Sequence, residues 1–286
     1  MNFRAFARLT RIEHALMLCV AVLAGQVMSL HGFPDPAFAL LSFIPPFMIE
    51  VAAFSINDYF DVEVDRRNRR LDRPLVSGEI ARKAALYLSM GAAAVGAGAA
   101  WFVNPACFAI ALAFAAASFL YSFRLKDMGL VGNSYVAGTM AVPFVYGNLS
   151  VGPALLESVA LLAIIAFLAG LAREVMGAVR DVEGDRERAG AKTFPMLVGS
   201  GPALVFAAIL YFVAIALSIV PFLAIPGYAG NPAYLLLVGA CDAILAWVAV
   251  GMLSGSREFL KRARYLSLFA MALGTLAFLA GVFRFA

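Results

Sequence analysis

Long apolar runs, separated by short polar or Gly- and Pro-containing segments, dominate this chain. A helix needs about 20 apolar residues to cross the hydrocarbon core of a bilayer. The runs are continuous rather than alternating, which favours helices over the strands of a barrel. The pattern therefore predicts an all-α polytopic membrane protein of nine transmembrane helices. The predicted spans cover roughly residues 13–30, 37–57, 82–102, 105–122, 130–149, 153–177, 202–224, 232–254 and 263–283.

Composition supports this class and excludes an ordinary soluble domain. Of the 286 residues, 63% are hydrophobic and 14% are charged, whereas globular chains have about 45–50% apolar and about 25% charged residues. The three cysteines lie in apolar runs without a partner at metal-ligand spacing, so we interpret them as packing residues. The first run lacks a small-residue cleavage site, and we interpret it as a retained span.

The basic residues indicate how the spans are oriented. All but one of the 22 Lys and Arg residues lie before the first predicted span, or in or beside the segments that join the second span to the third, the fourth to the fifth, the sixth to the seventh and the eighth to the ninth; Arg284 is the exception. The positive-inside rule then places the N-terminus in the cytoplasm and the C-terminus outside. We expect a multi-pass protein of the cell membrane whose functional site faces the cytoplasm.

An acidic run directly follows the second span, with no linker between them. On a helix, Asn57, Asp61 and Asp65 share one face at four-residue spacing, and Asp58 lies beside them. Carboxylates that lie so close repel one another unless a cation is present, and Mg²⁺ takes oxygen ligands from a few carboxylates and from substrate phosphates. Arginines just downstream suit a phosphate. The run therefore predicts a metal–diphosphate site at the membrane surface.

The sixth span ends in a similar way, which indicates a loose internal repeat. Asp181 and Asp185 are again four residues apart and are again followed by basic residues, including Arg188 and Lys192. If the two helices are neighbours, both acidic clusters would face one central cavity. We interpret 1–286 as a single membrane domain with two pseudo-halves, about 1–128 and 129–286.

A transporter is an alternative function, because two acids lie well inside the predicted spans. Acidic residues that carry ions usually lie at mid-membrane depth, whereas the clusters here lie at the cytoplasmic ends of the spans. Glu50, two turns before Asn57, is a weaker site candidate, and Asp242 is predicted to be a hydrogen-bonded packing residue. The loop around Tyr121 and Lys126 adds a hydroxyl and a cation on the cytoplasmic side, which interfacial anchoring would also explain.

These motifs together resemble a known family. The run from Asn57 to Asp65, with the downstream Asp72-Arg73-Pro74-Leu75-x-x-Gly78, is similar to the first aspartate-rich signature of the UbiA superfamily of intramembrane prenyltransferases. The pair Asp181-x-x-x-Asp185, followed by Gly190 and Thr193, resembles the second. Tyr121 and Lys126 match the family's Tyr/Lys element with a spacing one residue longer. The resemblance covers nearly the whole chain.

The resemblance implies Mg²⁺-dependent transfer of a prenyl group from an allylic diphosphate, through a carbocation, to an acceptor in the membrane. It implies that Asp58, Asp61 and Asp181 are catalytic. Its partners would be the prenyl diphosphate, a lipid acceptor and the bilayer, with neither nucleic acid nor an obligatory protein partner. The implied metal ligands are Asn57, Asp58, Asp61, Asp65, Asp181 and Asp185, and the implied diphosphate-binding residues are Arg70, Arg73, Tyr121, Lys126 and Lys192.

For the acceptor, four short segments look most similar to the archaeal branch of the superfamily, which makes the second ether bond of archaeal lipids. They are residues 55–61, 73–78, Leu125-Lys126 with Gly132-Asn133, and Arg173-Glu174. The substrates implied are geranylgeranyl diphosphate and geranylgeranylglyceryl phosphate, with Arg8 or Arg11 near the acceptor phosphate. The chain departs from this branch at Gly177-Ala178-Val179, where a further acid is common. The alternative within the superfamily is an aromatic-acceptor enzyme of quinone biosynthesis.

Overall fold

The computed structural model describes residues 3–67, 69–186 and 192–283, without the side chains of Asp185 and Arg186. Expectations that rest on Arg188, Gly190 and Arg284 lie outside this part. Within it the chain forms twelve α-helices and no β-strand. They are α1 (Phe3–Thr10), α2 (Ile12–Leu30), α3 (Pro36–Arg67), α4 (Arg82–Val103), α5 (Pro105–Phe123), α6 (Leu130–Val151), α7 (Glu157–Arg186), α8 (Phe194–Val198), α9 (Ser200–Ser218), α10 (Val220–Ala224), α11 (Pro232–Gly251) and α12 (Arg257–Val282).

Eight helical segments in the described part of the chain are long and apolar enough to cross a membrane: α2, α3, α4, α5, α7, α9 with α10, α11 with the 3-10 turn after it, and α12. The predicted all-α membrane fold is confirmed. Helix α6 lies where the fifth span was predicted but is not one of the eight, because polar residues such as Asn133, Thr139 and Asn148 lower its hydropathy. The count of nine spans and their orientation stay predictions.

Several helices differ in length from the predicted spans. Helix α3 continues to Arg67 and therefore carries the whole acidic run. Helix α12 begins at Arg257, so the basic residues predicted to lie in the preceding loop form its first two turns. The seventh span is divided into α9 and α10 next to Pro221, whose missing N–H cannot continue the helical hydrogen bonds.

The chain separates into two compact units. The first unit ends at Leu125 and leaves out Ala24–Phe33, and the second unit contains Ala24–Phe33 and resumes at Lys126. Helix α2 thus belongs partly to each unit. This division of α2 between the two units was not predictable from the sequence, because α2 is one uninterrupted apolar run.

In the first unit, α3 packs against α4 and α5 through small side chains. Ala52 of α3 packs near Ala92 of α4, and the Ser89 hydroxyl donates a 2.8 Å hydrogen bond to the Ala52 carbonyl oxygen. Gly96 lies against the Pro45 carbonyl. Small residues let helix backbones approach closely where lipid gives no hydrophobic driving force between helices.

In the second unit, α7, α9, α11 and α12 enclose a large apolar cluster, which includes the fully buried Met176 and Tyr211. The part of α2 that belongs to this unit packs on α6. Gly25 of α2 lies so close to the Phe144 carbonyl of α6 that a Cβ at Gly25 would overlap the carbonyl. In α11, Asp242 accepts a 2.7 Å hydrogen bond from the Ser218 hydroxyl, as expected of a hydrogen-bonded packing residue.

Candidate functional site

The acidic run lies on the last turns of α3, as the spacing predicted. No Gly or Pro interrupts residues 47–67, so the membrane-spanning helix continues into the polar region. The Asn57 side-chain amide donates a 3.1 Å hydrogen bond to Asp61 Oδ2, one turn further on. Asp65 follows after another turn and is largely buried. The three oxygen-bearing side chains therefore form one row along α3.

Asp58 lies beside this row and is the most buried carboxylate of the acidic run, and its charge is balanced by two arginines. Its side chain is 2% exposed, and Oδ1 lies 3.2 Å from Arg73 Nη1 and 3.4 Å from Arg11 Nη2. Arg11 lies in the turn between α1 and α2, and its guanidinium stacks over the Phe54 ring at 4.2 Å from the centroid. Burial lowers the pKa of Arg11 from its ordinary value.

The loop after α3 returns Arg73 to the acidic row. Arg73 Nε lies 3.8 Å from Asp65 Oδ2, so the same side chain contacts two carboxylates that are two turns apart. The loop is held by Leu75 and Ile80, which pack into a buried cluster with Leu9 of α1. This packing holds Arg73 next to Asp58, from which it is separated by 15 positions in the sequence.

A second contact between α1 and this loop involves Arg8. Its Nη2 atom lies 2.6 Å from both carboxylate oxygens of Glu79, and its Nη1 atom donates a 3.2 Å hydrogen bond to the Asp72 carbonyl. Hydrogen bonds from Arg8 and Ser77 lower the pKa of Glu79. A hydrogen bond from Arg70 likewise lowers the pKa of Asp72. The place of Glu79 could not be predicted from the sequence, because an acid in a basic loop has no motif of its own.

The predicted acceptor residues Arg8 and Arg11 therefore have acidic partners in the first unit. Tyr121, also in the first unit, lies at the end of α5 and is half-buried. Arg70 lies in the loop after α3, where its Nε atom is 3.3 Å from Oδ1 of Asp72. The roles assigned to these residues stay predictions.

In the second unit, the end of α7 carries the second acidic motif. Asp181 is paired with the adjacent Arg180, and its side chain is 49% exposed. Asp185 lies on the same helix one turn later, but its side chain is outside the described part of the structure. This acidic pair is thus arranged along the helix as the sequence predicted, and its metal role is untested.

The two lysines predicted to bind diphosphate in the second unit lie on backbone segments that pair with each other. The Lys192 amide donates a 3.1 Å hydrogen bond to the Asp127 carbonyl, and Met128 forms an isolated bridge with Lys192. Gly129 has a φ of 56°, which favours glycine and allows the chain to turn into α6. Lys192 therefore forms this bridge, and Lys126 lies in the 3-10 turn directly before it.

The donor set fits a hard divalent cation. The residues predicted as ligands offer only carboxylate and amide oxygens, and arginines lie next to them. Among the described residues, no three His, Cys, Asp or Glu side chains lie close enough to hold a metal ion by themselves. Mg²⁺ usually needs only one or two carboxylates together with substrate phosphates and water, so this arrangement suits a metal that binds with its substrate.

The chain is similar to known proteins over nearly its whole length. A model of the UbiA prenyltransferase family matches residues 18–274. The digeranylgeranylglyceryl phosphate synthase of Archaeoglobus fulgidus is 36% identical over 281 residues, which cover 98% of this chain and 96% of that protein. The enzyme of the same name from Thermococcus kodakarensis is 35% identical over 98% of both chains.

A solved structure of digeranylgeranylglyceryl phosphate synthase in membranes has a TM-score of 0.81 and 26% identity, with 98% of each chain covered. A UbiA homologue from Archaeoglobus fulgidus, bound to DMAPP and Mg²⁺, has a TM-score of 0.64 and 20% identity over 96% of this chain and 98% of that one. This second likeness shows the fold.

Proposed function

Because the chain belongs to the UbiA prenyltransferase family, we propose that it transfers a geranylgeranyl group from geranylgeranyl diphosphate to the free hydroxyl of geranylgeranylglyceryl phosphate, with Mg²⁺ as cofactor. The observation that carries this proposal is the full-length similarity to digeranylgeranylglyceryl phosphate synthases, at 36% identity over 98% of the chain. The product would be a diether lipid phosphate of the archaeal type.

The proposed orientation follows from the charges. We assign the acidic ends of α3 and α7 to the cytoplasmic side of the cell membrane, because nearly all basic residues lie on that side of the predicted spans. A ninth span formed by α6 completes this arrangement. The water-soluble diphosphate group would then meet the acidic row from the cytoplasm, while the prenyl chain lies among apolar helices.

The reaction breaks the bond between the allylic carbon and the diphosphate oxygen, and the electron pair leaves with the diphosphate. The acceptor hydroxyl oxygen then forms the ether bond to that carbon and releases its proton. When bound, Mg²⁺ would neutralise charge that develops on the leaving diphosphate. In the first unit, we assign its binding to Asn57, Asp58, Asp61 and Asp65; in the second unit, to Asp181 and Asp185.

Basic side chains of each unit are assigned to the diphosphate. In the first unit, Arg70 and Arg73 would bind diphosphate oxygens, with Tyr121 as a further donor; in the second unit, Lys126 and Lys192 would do so. Arg73 already lies between Asp58 and Asp65. A guanidinium held in that place needs little reorganisation when the diphosphate arrives, which is how preorganised donors stabilise a transition state.

A transfer assay in detergent tests the proposal. Radiolabelled geranylgeranyl diphosphate would be given with geranylgeranylglyceryl phosphate, or with an aromatic acid acceptor, in the presence of Mg²⁺ or of excess EDTA. We expect a labelled diether phosphate that forms only with Mg²⁺ and only with the glyceryl phosphate. A labelled product with the aromatic acid alone would identify the aromatic-acceptor branch instead, and no product with either acceptor would favour the transporter.

A further inference from the structure

The second unit holds a group of three charged side chains that are each less exposed than Asp181 of α7. It consists of Arg173 and Glu174 of α7 and Arg264 of α12. Arg173 Nη1 lies 2.8 Å from Glu174 Oε1, and Arg264 Nη2 lies 4.0 Å from the same oxygen. Arg173 Nε also donates a 3.4 Å hydrogen bond to the Arg264 carbonyl, which joins the two helices.

This group lies on the face of α7 that carries Asp181. Glu174 and Asp181 are seven residues apart, which is close to two full helical turns and about 10 Å along the axis. Arg264 lies over Gly177, where an added Cβ would meet Arg264 Nη1 at 3.6 Å. Gly177 is on the same face, so the guanidinium of Arg264 lies along the row that leads to Asp181.

The group has more positive than negative charge. Two guanidiniums share one carboxylate, and Arg173 as a residue is only 9% exposed. The 4.0 Å distance from Arg264 to Glu174 is too long for a hydrogen bond, and the Arg264 guanidinium has no hydrogen-bond acceptor within the described residues. The Arg264 side chain is 34% exposed and therefore open to a ligand, and ionisable side chains of membrane-spanning helices mark substrate paths. An anion is therefore the expected partner of Arg264.

We propose that Arg264 binds the phosphate of the lipid acceptor, and that Glu174 and Arg173 position the Arg264 side chain. The identity of the anion rests on the proposed function, in which the acceptor is a phosphate monoester on a prenylated glycerol. A guanidinium matches phosphate oxygens in bidentate fashion, and its long contact to Glu174 leaves donors to do so. Arg8 and Arg11, by contrast, already contact the carboxylates of Glu79 and Asp58.

The competing explanation is a purely structural ion group that joins α7 to α12. Both explanations expect a loss of stability when Arg264 is replaced. Only the phosphate-binding role expects the enzyme to lose its preference for a phosphorylated acceptor. The test therefore compares two acceptors that differ in the phosphate alone, geranylgeranylglyceryl phosphate and geranylgeranylglycerol.

Steady-state kinetics in detergent would be measured for the wild type, Arg264→Gln, Arg264→Lys and the control Arg262→Gln. Arg262 lies on the same helix, but it is exposed and paired with Glu258. For Arg264→Gln we expect the acceptor KM to rise about 10- to 100-fold, as for loss of one charged hydrogen bond, while the donor KM is unchanged. The preference for the phosphorylated acceptor should fall by the same factor, Arg264→Lys should restore part of it, and Arg262→Gln should behave as wild type.

The outcomes separate this inference from the proposed function. A wild type that does not use the phosphorylated acceptor contradicts the proposed function itself. A wild type that prefers it, together with an Arg264→Gln variant that keeps the preference, overturns the role of Arg264 alone. If Arg264→Gln does not fold, Arg264→Lys decides, because an unchanged preference ratio and acceptor KM in a folded lysine variant would show that the bidentate guanidinium is not used.

Discussion

The two acidic motifs of this chain are similar in sequence but differ in how the fold holds them. Asp58 is 2% exposed and contacts arginines from a distant turn and from a returning loop. Asp181 is 49% exposed and is paired with the residue next to it. The first motif is thus held by tertiary contacts across the first unit, and the second is held by its own helix.

This difference indicates which motif should contribute to the stability of the fold as well as to catalysis. Charges that are buried together destabilise the fold when one partner is removed, whereas an exposed pair contributes little. Carboxylates of the first motif should therefore matter for stability and activity together. Those of the second motif should matter for activity alone.

The largest effect is expected on turnover. Replacement of Asp61 or Asp181 by Ala should lower kcat about 1,000-fold, because a preorganised charge at the reacting group is lost. The transfer assay measures this, and Glu183→Gln is the matched control, since Glu183 is an exposed acid of α7 paired with Arg257. A normal kcat in Asp61→Ala or Asp181→Ala would remove that residue from the site.

The next effect concerns stability and separates the two motifs directly. Asp58→Ala should lower the free energy of unfolding by about 3 kcal/mol, because Arg11 and Arg73 lose the carboxylate that balances their charges. Asp181→Ala should change it by less than about 0.5 kcal/mol, as exposed sites usually do. Denaturant unfolding in detergent measures both. Equal losses in the two variants would contradict the comparison.

A smaller effect is expected at the contact between α1 and the loop that carries Arg73. Arg8→Gln or Glu79→Gln should lower kcat about 3- to 10-fold, in line with the modest energy of a partly exposed ion pair. The double variant Arg8→Glu with Glu79→Arg restores the pair with opposite polarity and should recover part of the activity. If the double variant is no better than either single variant, the pair does not position the loop.

The smallest effect is the pH dependence of the stabilisation that the Arg8–Glu79 pair provides. The hydrogen bonds from Arg8 and Ser77 hold the pKa of Glu79 below its ordinary value. The pair therefore stabilises the fold above the ordinary carboxyl range and ceases to do so as the pH falls through the lowered pKa. The difference in Tm between wild type and Glu79→Gln should be present at pH 7 and disappear on acidification. A difference that grows on acidification would contradict this assignment.

The helices were predictable because their signal is local. Continuous apolar runs located α2, α4 and α5 within a residue or two, and the four-residue spacing of the aspartates placed them along one helix face. The start of α12 was less predictable, because a helix can begin within charged residues such as Arg257–Arg264 once they pair with neighbours.

The contacts that build the site were not predictable, because they join residues far apart in the sequence. Nothing local indicates that Arg73 returns to Asp58, since that depends on where Leu75 and Ile80 pack. The Arg8–Glu79 pair joins residues 71 positions apart. Arg264 was predicted only as one of the positive charges on the cytoplasmic side, and its place over Gly177 depends on how α12 packs on α7.

The most direct test of the account is a competition experiment with the purified wild type. Equal concentrations of geranylgeranylglyceryl phosphate and an aromatic acid acceptor would be mixed with geranylgeranyl diphosphate and Mg²⁺, and the products identified by mass spectrometry. The account predicts the diether phosphate as the main product, together with one diphosphate released for each ether bond formed. Prenylation of the aromatic acid in preference to the glyceryl phosphate would contradict it.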